Sequence, residues 1–226
     1  MDKIVLWIAS AIGLLVAYLL GSIPTGYLLG KFLRNIDIRE HGSKSTGATN
    51  VLRTLGIGPA LFVLVIDVLK GAAAIFFASW YCIWLVDQPL FTTPANFDFQ
   101  SLVPWFVCLS GLAVLVGHGR SIWLKFTGGK SAAAGLGVLL AISLLVGIGA
   151  AAVWGLTLAV SRIVSLSSIL AAVTAIVLIL SFEHQLPYRL LVIAGGLYVI
   201  VRHRANIQRL IAGAEPRLRQ INSDRS

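Results

Sequence analysis

The stretch 131-SAAAGLGVLLAISLLVGIGAAAVWGLTLAVS-161 carries no charge over 31 residues. At the α-helical rise it would extend about 46 Å, too long for one upright helix through a hydrocarbon core of roughly 30 Å, but enough for two short ones. The pair Gly147 and Gly149 marks the expected break. Around it lie further apolar runs at 4–30, 59–86, 102–117, 163–182 and 187–201. The runs are continuous rather than alternating, which excludes a β-barrel and makes the chain an all-α integral membrane protein. With 226 residues, 58% hydrophobic and 12% charged, it forms a single membrane-embedded unit, 1–226, with 202–226 as a tail and no room for a separate soluble domain. MDK and a 17-residue apolar run open the chain without a small-residue cleavage site, so the first helix is expected to be retained.

Charge decides between one span and two over 131–161. Lys31, Arg34, Arg39, Lys44 and Arg53 follow the first run, Arg120, Lys125 and Lys130 follow the third, and Arg202, Arg204, Arg209, Arg217, Arg219 and Arg225 close the chain. Basic loops stay on the cytoplasmic side. Two spans put all three clusters and Arg162 on that side, leaving Asp87, Asp98 and Glu183 with one basic residue, Arg189, outside. The expectation is therefore seven transmembrane helices, N-terminus out and C-terminus cytoplasmic. The net charge of +9 follows from the same rule, so no nucleic-acid partner is expected.

Within the spans, Asp67 and Lys70 stand at i, i+3 and can neutralise one another. They serve either as a staple beside Gly71 or as support for a site. Gly21, Ser22, Gly26 and Gly30 around Pro24 permit close helix approach. Cys82 and Cys108 lie inside apolar runs and read as buried spectator thiols, not as ligands of a metal.

The remaining polar residues gather in four cytoplasmic patches. The segment 41-HGSKSTGATNVLR-53 offers backbone N–H groups, hydroxyls, an amide and a guanidinium, all suited to phosphate oxygens. The segment 128-GGKS-131 adds two glycines and Lys130 at a helix start; it is no Walker A loop, since the first glycine of that motif would fall at Leu124. The segments 162-RIVSLSS-168 and 202-RHRANIQR-209 bring Arg162, Ser165, Arg202, His203, Arg204 and Asn206. Acids on this side are few: Asp37, Glu40, Glu215 and Asp224. The four patches converge on a site for a phosphorylated ligand, with no metal and no cofactor expected. An H-x4-D acid–base pair is absent, because the residues five after His41, His118, His184 and His203 are Thr46, Trp123, Arg189 and Gln208. The residues alone leave transferase and transporter of a phosphorylated solute open.

The patches resemble the bacterial acyl-phosphate:glycerol-3-phosphate acyltransferases of the PlsY type. The likeness runs through GSIPTGYLLGK, GSKSTGATNVLRTLG, GH…FTGGKSAAAGLGV, RIVSLSSI and VRHRANIQRLIAG, nearly the whole chain. It implies that acyl phosphate from the bilayer and glycerol 3-phosphate from the cytosol give 1-acylglycerol 3-phosphate and inorganic phosphate, at the cytoplasmic face of the bacterial plasma membrane. It implies catalytic roles for Ser43, Lys130, His203 and Asn206, and substrate binding by Gly42, Gly47, Thr49, Asn50, Arg53, Gly128, Gly129, Arg162, Ser165, Arg202 and Arg204. Lys130 and Arg53 would hold the glycerol phosphate, and the 43–50 loop with Ser165, His203 and Asn206 the acyl phosphate. A monomer among membrane lipids, with no covalent acyl-enzyme, is the expected form. The chain departs from the family pattern at Lys44-Ser45, where Gly-Asn is common, at Ser131–Ala134, where Gly-Val-Ala-Thr is common, and at Ala205, where Glu is common.

Overall fold

The computed structural model describes residues 3–86 and 99–218. Asp87 and Asp98 of the expected outer loop, and Arg219, Asp224 and Arg225 of the tail, lie outside them. The described residues form helices joined by short links: α1 (Lys3–Ser22), α2 (Thr25–Arg34), α3 (Ala48–Thr54), α4 (Ile57–Val86), α5 (Val103–Gly119), α6 (Ala132–Ile142), α7 (Leu144–Ser161), α8 (Val164–Phe182), α9 (Leu186–Arg202) and α10 (Arg204–Ile211). Five segments are long and apolar enough to cross a membrane: Trp7–Arg34, Ile57–Leu85, Gln100–Gly119, Leu144–Ser161 and Val164–Phe182. The pair α9 and α10, bent by 58°, makes a sixth when counted together. The apolar helix α6 has 11 residues, about 16 Å and so roughly half a hydrocarbon core.

The uncharged stretch does divide, but at Ser143 rather than at Gly147–Gly149. Ser143 is extended (φ −153°, ψ 103°), ending α6 and starting α7. Ser143 carries the one hydroxyl between Ala132 and Leu156, and it starts α7 through its extended backbone, without a side-chain cap. The glycines instead lie within α7, where they let it approach its neighbours. A Cβ on Gly147 would press on the backbone and side chain of Leu140 at the end of α6, and one on Gly149 would meet Leu178 of α8.

Two reciprocal glycine contacts build the centre of the bundle. Gly21 of α1 lies against the Val114 carbonyl of α5, and Gly117 of α5 against the Tyr18 carbonyl of α1. Gly71 of α4 and Gly137 of α6 repeat the arrangement with the carbonyls of Ala134 and Val68. Lipid supplies no hydrophobic drive for helix association, so such backbone-to-backbone packing is what holds spans together.

The Asp67–Lys70 pair closes the break between α1 and α2. Pro24 has no N–H to continue the helix, and the Ile23 carbonyl takes Thr25 N–H (3.1 Å) and Lys70 Nζ (3.1 Å). Asp67 Oδ1 accepts from Lys70 Nζ at 2.8 Å and from Thr25 Oγ1 at 3.3 Å, with both members of the pair buried. A buried ion pair alone is a poor source of stability; this one satisfies a carbonyl that the break exposes.

Gly137→Ala should lower the thermal unfolding stability in detergent by about 1–3 kcal/mol, the usual range for overpacking. Gly155→Ala is the control, because a Cβ there meets nothing within 4 Å; it should leave the midpoint unchanged or raise it.

Candidate active site

The first patch folds around one side chain. Asn50, fully buried at the start of α3, accepts the Ser43 N–H on Oδ1 (2.7 Å) and donates from Nδ2 to the carbonyls of Ile38 (2.9 Å) and Ser45 (2.8 Å). Gly42 and Lys44 both take left-handed conformations (φ 55° each). A Cβ on Gly42 would strike Asn50 Oδ1, so this position needs glycine for space as well as for φ. Asn50, expected as a substrate-binding donor, spends its amide within the loop and shapes it. It borders the cavity together with Ser43, Gly47, Thr49 and Arg53.

The second patch is held from behind. Gly129 N–H donates to the His118 carbonyl (3.0 Å), and a Cβ on Gly129 would fall on the His118 ring. Arg202 Nη2 donates to the carbonyls of Gly119 (3.1 Å) and Gly129 (2.9 Å). Ser131, at φ 62°, bonds the Leu115 carbonyl through Oγ (2.7 Å). Arg39, paired with Asp37, reaches Thr127 Oγ1 (3.2 Å) and ties the two loops together. Gly128 and Gly129 thus carry Lys130 while bordering neither of the two compartments described below, and Arg202 fixes their loop while it borders the site.

The third and fourth patches meet at a residue the sequence reading counted only among the acids. Glu215 accepts from Ser165 Oγ (2.8 Å), Asn206 Nδ2 (2.6 Å) and Arg209 Nε (2.7 Å). Asn206 turns its Oδ1 to Lys130 Nζ at 2.7 Å. His203 Nδ1 lies 2.8 Å from the Val199 carbonyl. A carbonyl only accepts, so Nδ1 carries the proton and Nε2 of the neutral ring is an acceptor. Arg162 and Arg204, expected as binding residues, are exposed and border neither compartment described below. Each stands at a helix boundary, where a basic side chain extends to the aqueous edge.

Burial sets the charge of the cations. It pushes Lys130 down to about 8, against Glu215, which raises it, and with Arg209, Arg53 and Arg202 adding to the fall. Burial likewise lowers Arg53, a group that stays charged at any working pH. Burial works to raise Glu215, but the hydrogen bonds from Asn206, Ser165 and Arg209 outweigh it and hold the carboxyl below its usual range.

Two compartments meet here. One, of about 560 Å³, runs from the site down between α4, α6, α7, α8 and α9, walled by residues such as Leu64, Val68, Leu136, Trp154, Ala172 and Val192. The other, of about 380 Å³, is polar and bordered by Gly42, Ser43, Lys44, Arg53, Lys130, Arg202, Ala205, Asn206 and Arg209. Ser43, Arg53, Lys130 and Asn206 border both. Of the functional side chains, Glu215 had no signal in the sequence as a site group, because only the folding back of the chain after α10 brings it to α8, whereas Arg209 closes the fourth patch.

A helical membrane bundle with an apolar channel ending in a cationic chamber belongs to the class of integral membrane proteins built for an amphiphile and an anion. The family is settled by comparison with known proteins: the family model described as glycerol-3-phosphate acyltransferase matches residues 11–213, and the chain belongs to that family. It is 70% identical over 217 residues to glycerol-3-phosphate acyltransferase 2 of Rhizobium johnstonii, covering 96% of this chain and 99% of that protein. It is 52% identical over 209 residues to the glycerol-3-phosphate acyltransferase of Acaryochloris marina, covering 92% and 91%. The crystal structure of PlsY, an integral membrane glycerol 3-phosphate acyltransferase, in its glycerol 3-phosphate form matches with a TM-score of 0.79 at 33% identity, over 92% of this chain and 95% of that one. Its lysophosphatidic acid form matches with a TM-score of 0.76 at the same identity.

Gly129→Ala should lower kcat/KM at least about tenfold, because displacing the loop from His118 moves Lys130, and misplacement on the ångström scale is costly for an oriented reaction. Steady-state kinetics beside a thermal melt that stays close to the wild type would separate this from unfolding.

Proposed function

We propose that the protein transfers an acyl group from acyl phosphate to the 1-position of glycerol 3-phosphate, giving 1-acylglycerol 3-phosphate and inorganic phosphate, the entry reaction of phospholipid synthesis. The observation that carries this reading is the meeting of the apolar channel and the cationic chamber at Ser43, Arg53, Lys130 and Asn206. An acyl chain fits the first compartment, a glycerol phosphate the second, and the atoms that react belong at the shared border. The names of the relatives supply glycerol 3-phosphate as acceptor.

The step needs little from the protein beyond position and charge. The glycerol hydroxyl oxygen bonds the acyl carbonyl carbon, the bond from that carbon to the phosphate oxygen breaks, and the electron pair leaves with inorganic phosphate. The hydroxyl proton ends on that phosphate. Lys130 and Arg53 bind the phosphoryl charge, Ser43 and Thr49 offer hydroxyls to the acyl phosphate, and His203 Nε2 is an acceptor able to orient the attacking hydroxyl. Because the mixed anhydride is already activated, no covalent acyl-enzyme is required.

In this reading α6 is a short seventh span, the N-terminus faces outward, and the site and C-terminus face the cytoplasm of a bacterial inner membrane, where a monomer suffices. Of the features that could serve a transporter, Asp67 and Lys70 are bonded to one another and to the α1–α2 break, and Gly147 and Gly149 pack against Leu140 and Leu178, which favours the transferase.

Purified protein in lipid, given acyl phosphate and glycerol 3-phosphate, should release phosphate and form the monoacyl product, with none from acyl-CoA or acyl carrier protein thioester. Lys130→Ala should lower the rate at least ~100-fold. In the wild type, kcat/KM for glycerol 3-phosphate should fall as pH rises through about 8, where Lys130 loses its proton. Product from thioesters alone would overturn the donor, and uptake of solute without acylation would overturn the reaction.

A further inference from the structure

Glu215 poses an electrostatic puzzle, since it sets a buried carboxylate in a chamber suited to doubly charged anions. Its delivery is specific. After α10 the chain turns at Gly213 (φ 66°), Ala214 N–H bonds the Arg209 carbonyl (2.8 Å), and Leu218 N–H bonds the Arg162 carbonyl at the α7–α8 junction (2.9 Å). Between these ties Glu215 is nearly fully buried, and it lines the channel together with Leu218.

Pairing with Arg209 alone does not explain this placement, because the Arg209 side chain is 40% exposed and a partner of that kind gains little from an ion pair. The hydrogen-bond directions explain more. A carboxylate only accepts, so Asn206 must present its NH2 group to Glu215, at 2.6 Å. The amide oxygen is then the end that faces Lys130, at 2.7 Å. Without an acceptor at 215 the amide is free to turn, and an NH2 group facing an ammonium gives two donors and no bond. The same carboxylate draws the Ser165 hydroxyl from α8 (2.8 Å). Charge works alongside geometry. Facing Lys130 are Arg53 from α3, Arg202 and His203 from the end of α9, Arg209 from α10 and Glu215, while Asp67 of α4 and His118 of α5 border the same channel. Arginines do not lose their protons, whereas a buried lysine does so readily. Among the charged groups acting on Lys130, Glu215 is the one that favours its ammonium.

We propose that Glu215 is a positioning residue of the transfer site, which fixes the Asn206 amide and the Ser165 hydroxyl and keeps the Lys130 ammonium charged and aimed at the substrate phosphate. The proposal rests on the reading of Lys130 as a phosphate-binding cation given above.

The two ends of the Glu215–Arg209 pair give opposite predictions, which a purely structural role does not. The experiment measures kcat/KM for glycerol 3-phosphate, with acyl phosphate as donor, from about pH 6 to pH 10 in the full-length protein, a range that brackets the lysine titration. Glu215→Gln removes the charge that favours the ammonium and should move the alkaline limb down by about one unit, so that activity above the limb falls about tenfold. Arg209→Gln removes a charge that opposes the ammonium and should move the limb up. Glu215→Asp keeps the charge and should leave the limb in place while lowering kcat through the shortened reach to Asn206. Limbs that stay fixed in both Gln variants, or move the same way, would overturn the proposal. If Glu215→Gln does not fold, Arg209→Gln decides alone, an upward move supporting the proposal and a fixed or downward one overturning it. Calorimetric binding of glycerol 3-phosphate across the same pH range provides an arm that needs no turnover. A wild type that makes no product but binds with the same opposite shifts would overturn the reaction assigned above and keep the positioning role; binding without those shifts would overturn the role itself.

Discussion

Inside a bilayer, a backbone carbonyl released by a break in a helix has no water to turn to, and each unsatisfied group costs several kcal/mol. This protein breaks or ends its helices at several places, and protein donors answer the carbonyls there. Lys70 answers Ile23 at the α1–α2 break, Ser131 answers Leu115 near the end of α5, and His203 answers Val199 where α9 gives way to α10. Arg202 answers Gly119 and Gly129, and the Leu218 N–H answers Arg162. Much of the polar chemistry of the chain is therefore committed to the breaks. The breaks in turn are where straight spans yield to loops able to gather Ser43, Arg53, Lys130, Ser165 and Asn206 at one border.

That constraint explains how far the sequence could be read. Apolar runs and the scarcity of charge are enough for a helical membrane protein, and the four polar patches do converge. What one-dimensional reading does not give is the direction of hydrogen bonds. Asn50 and Arg202 are donors of the type that phosphate oxygens attract, yet Asn50 turns its amide to the carbonyls of Ile38 and Ser45, and Arg202 turns its guanidinium to those of Gly119 at the end of α5 and Gly129 in the α5–α6 link. No spacing in GATN or RHR distinguishes a donor facing a ligand from one facing a carbonyl 5 residues away, as for Asn50, or 73 residues away, as for Arg202. The break at Ser143 had a weak local signal in a single serine, outweighed by the more conspicuous glycines at 147 and 149, whose missing side chains are needed for packing. Glu215 was out of reach for a different reason: its place depends on a turn at Gly213 and on a backbone bond to Arg162, fifty residues and more away in sequence.

Ala205 borders the polar chamber and presents no charge, and the carboxylate that reaches the neighbouring Asn206 comes from the returning chain. Fixed dipoles and charges already aimed before ligand arrives need no reorganisation during reaction. The Glu215–Asn206–Lys130 chain, the Asn50-centred loop and the Gly129–His118 contact are three separate devices with that effect.

The reciprocal glycine contacts at Gly21 and Gly117, and at Gly71 and Gly137, act as teeth in a ratchet. Helices whose backbones touch in this way cannot slide past one another along the membrane normal without passing a carbonyl through a Cα. A bilayer thicker or thinner than the bundle must then be met by tilting each locked pair as a rigid plank, or by deforming the lipid around it. Mismatch would be carried first by α7, the least buried of the five long apolar segments, leaving the height of the loop that bears Lys130 fixed relative to α4 and α5.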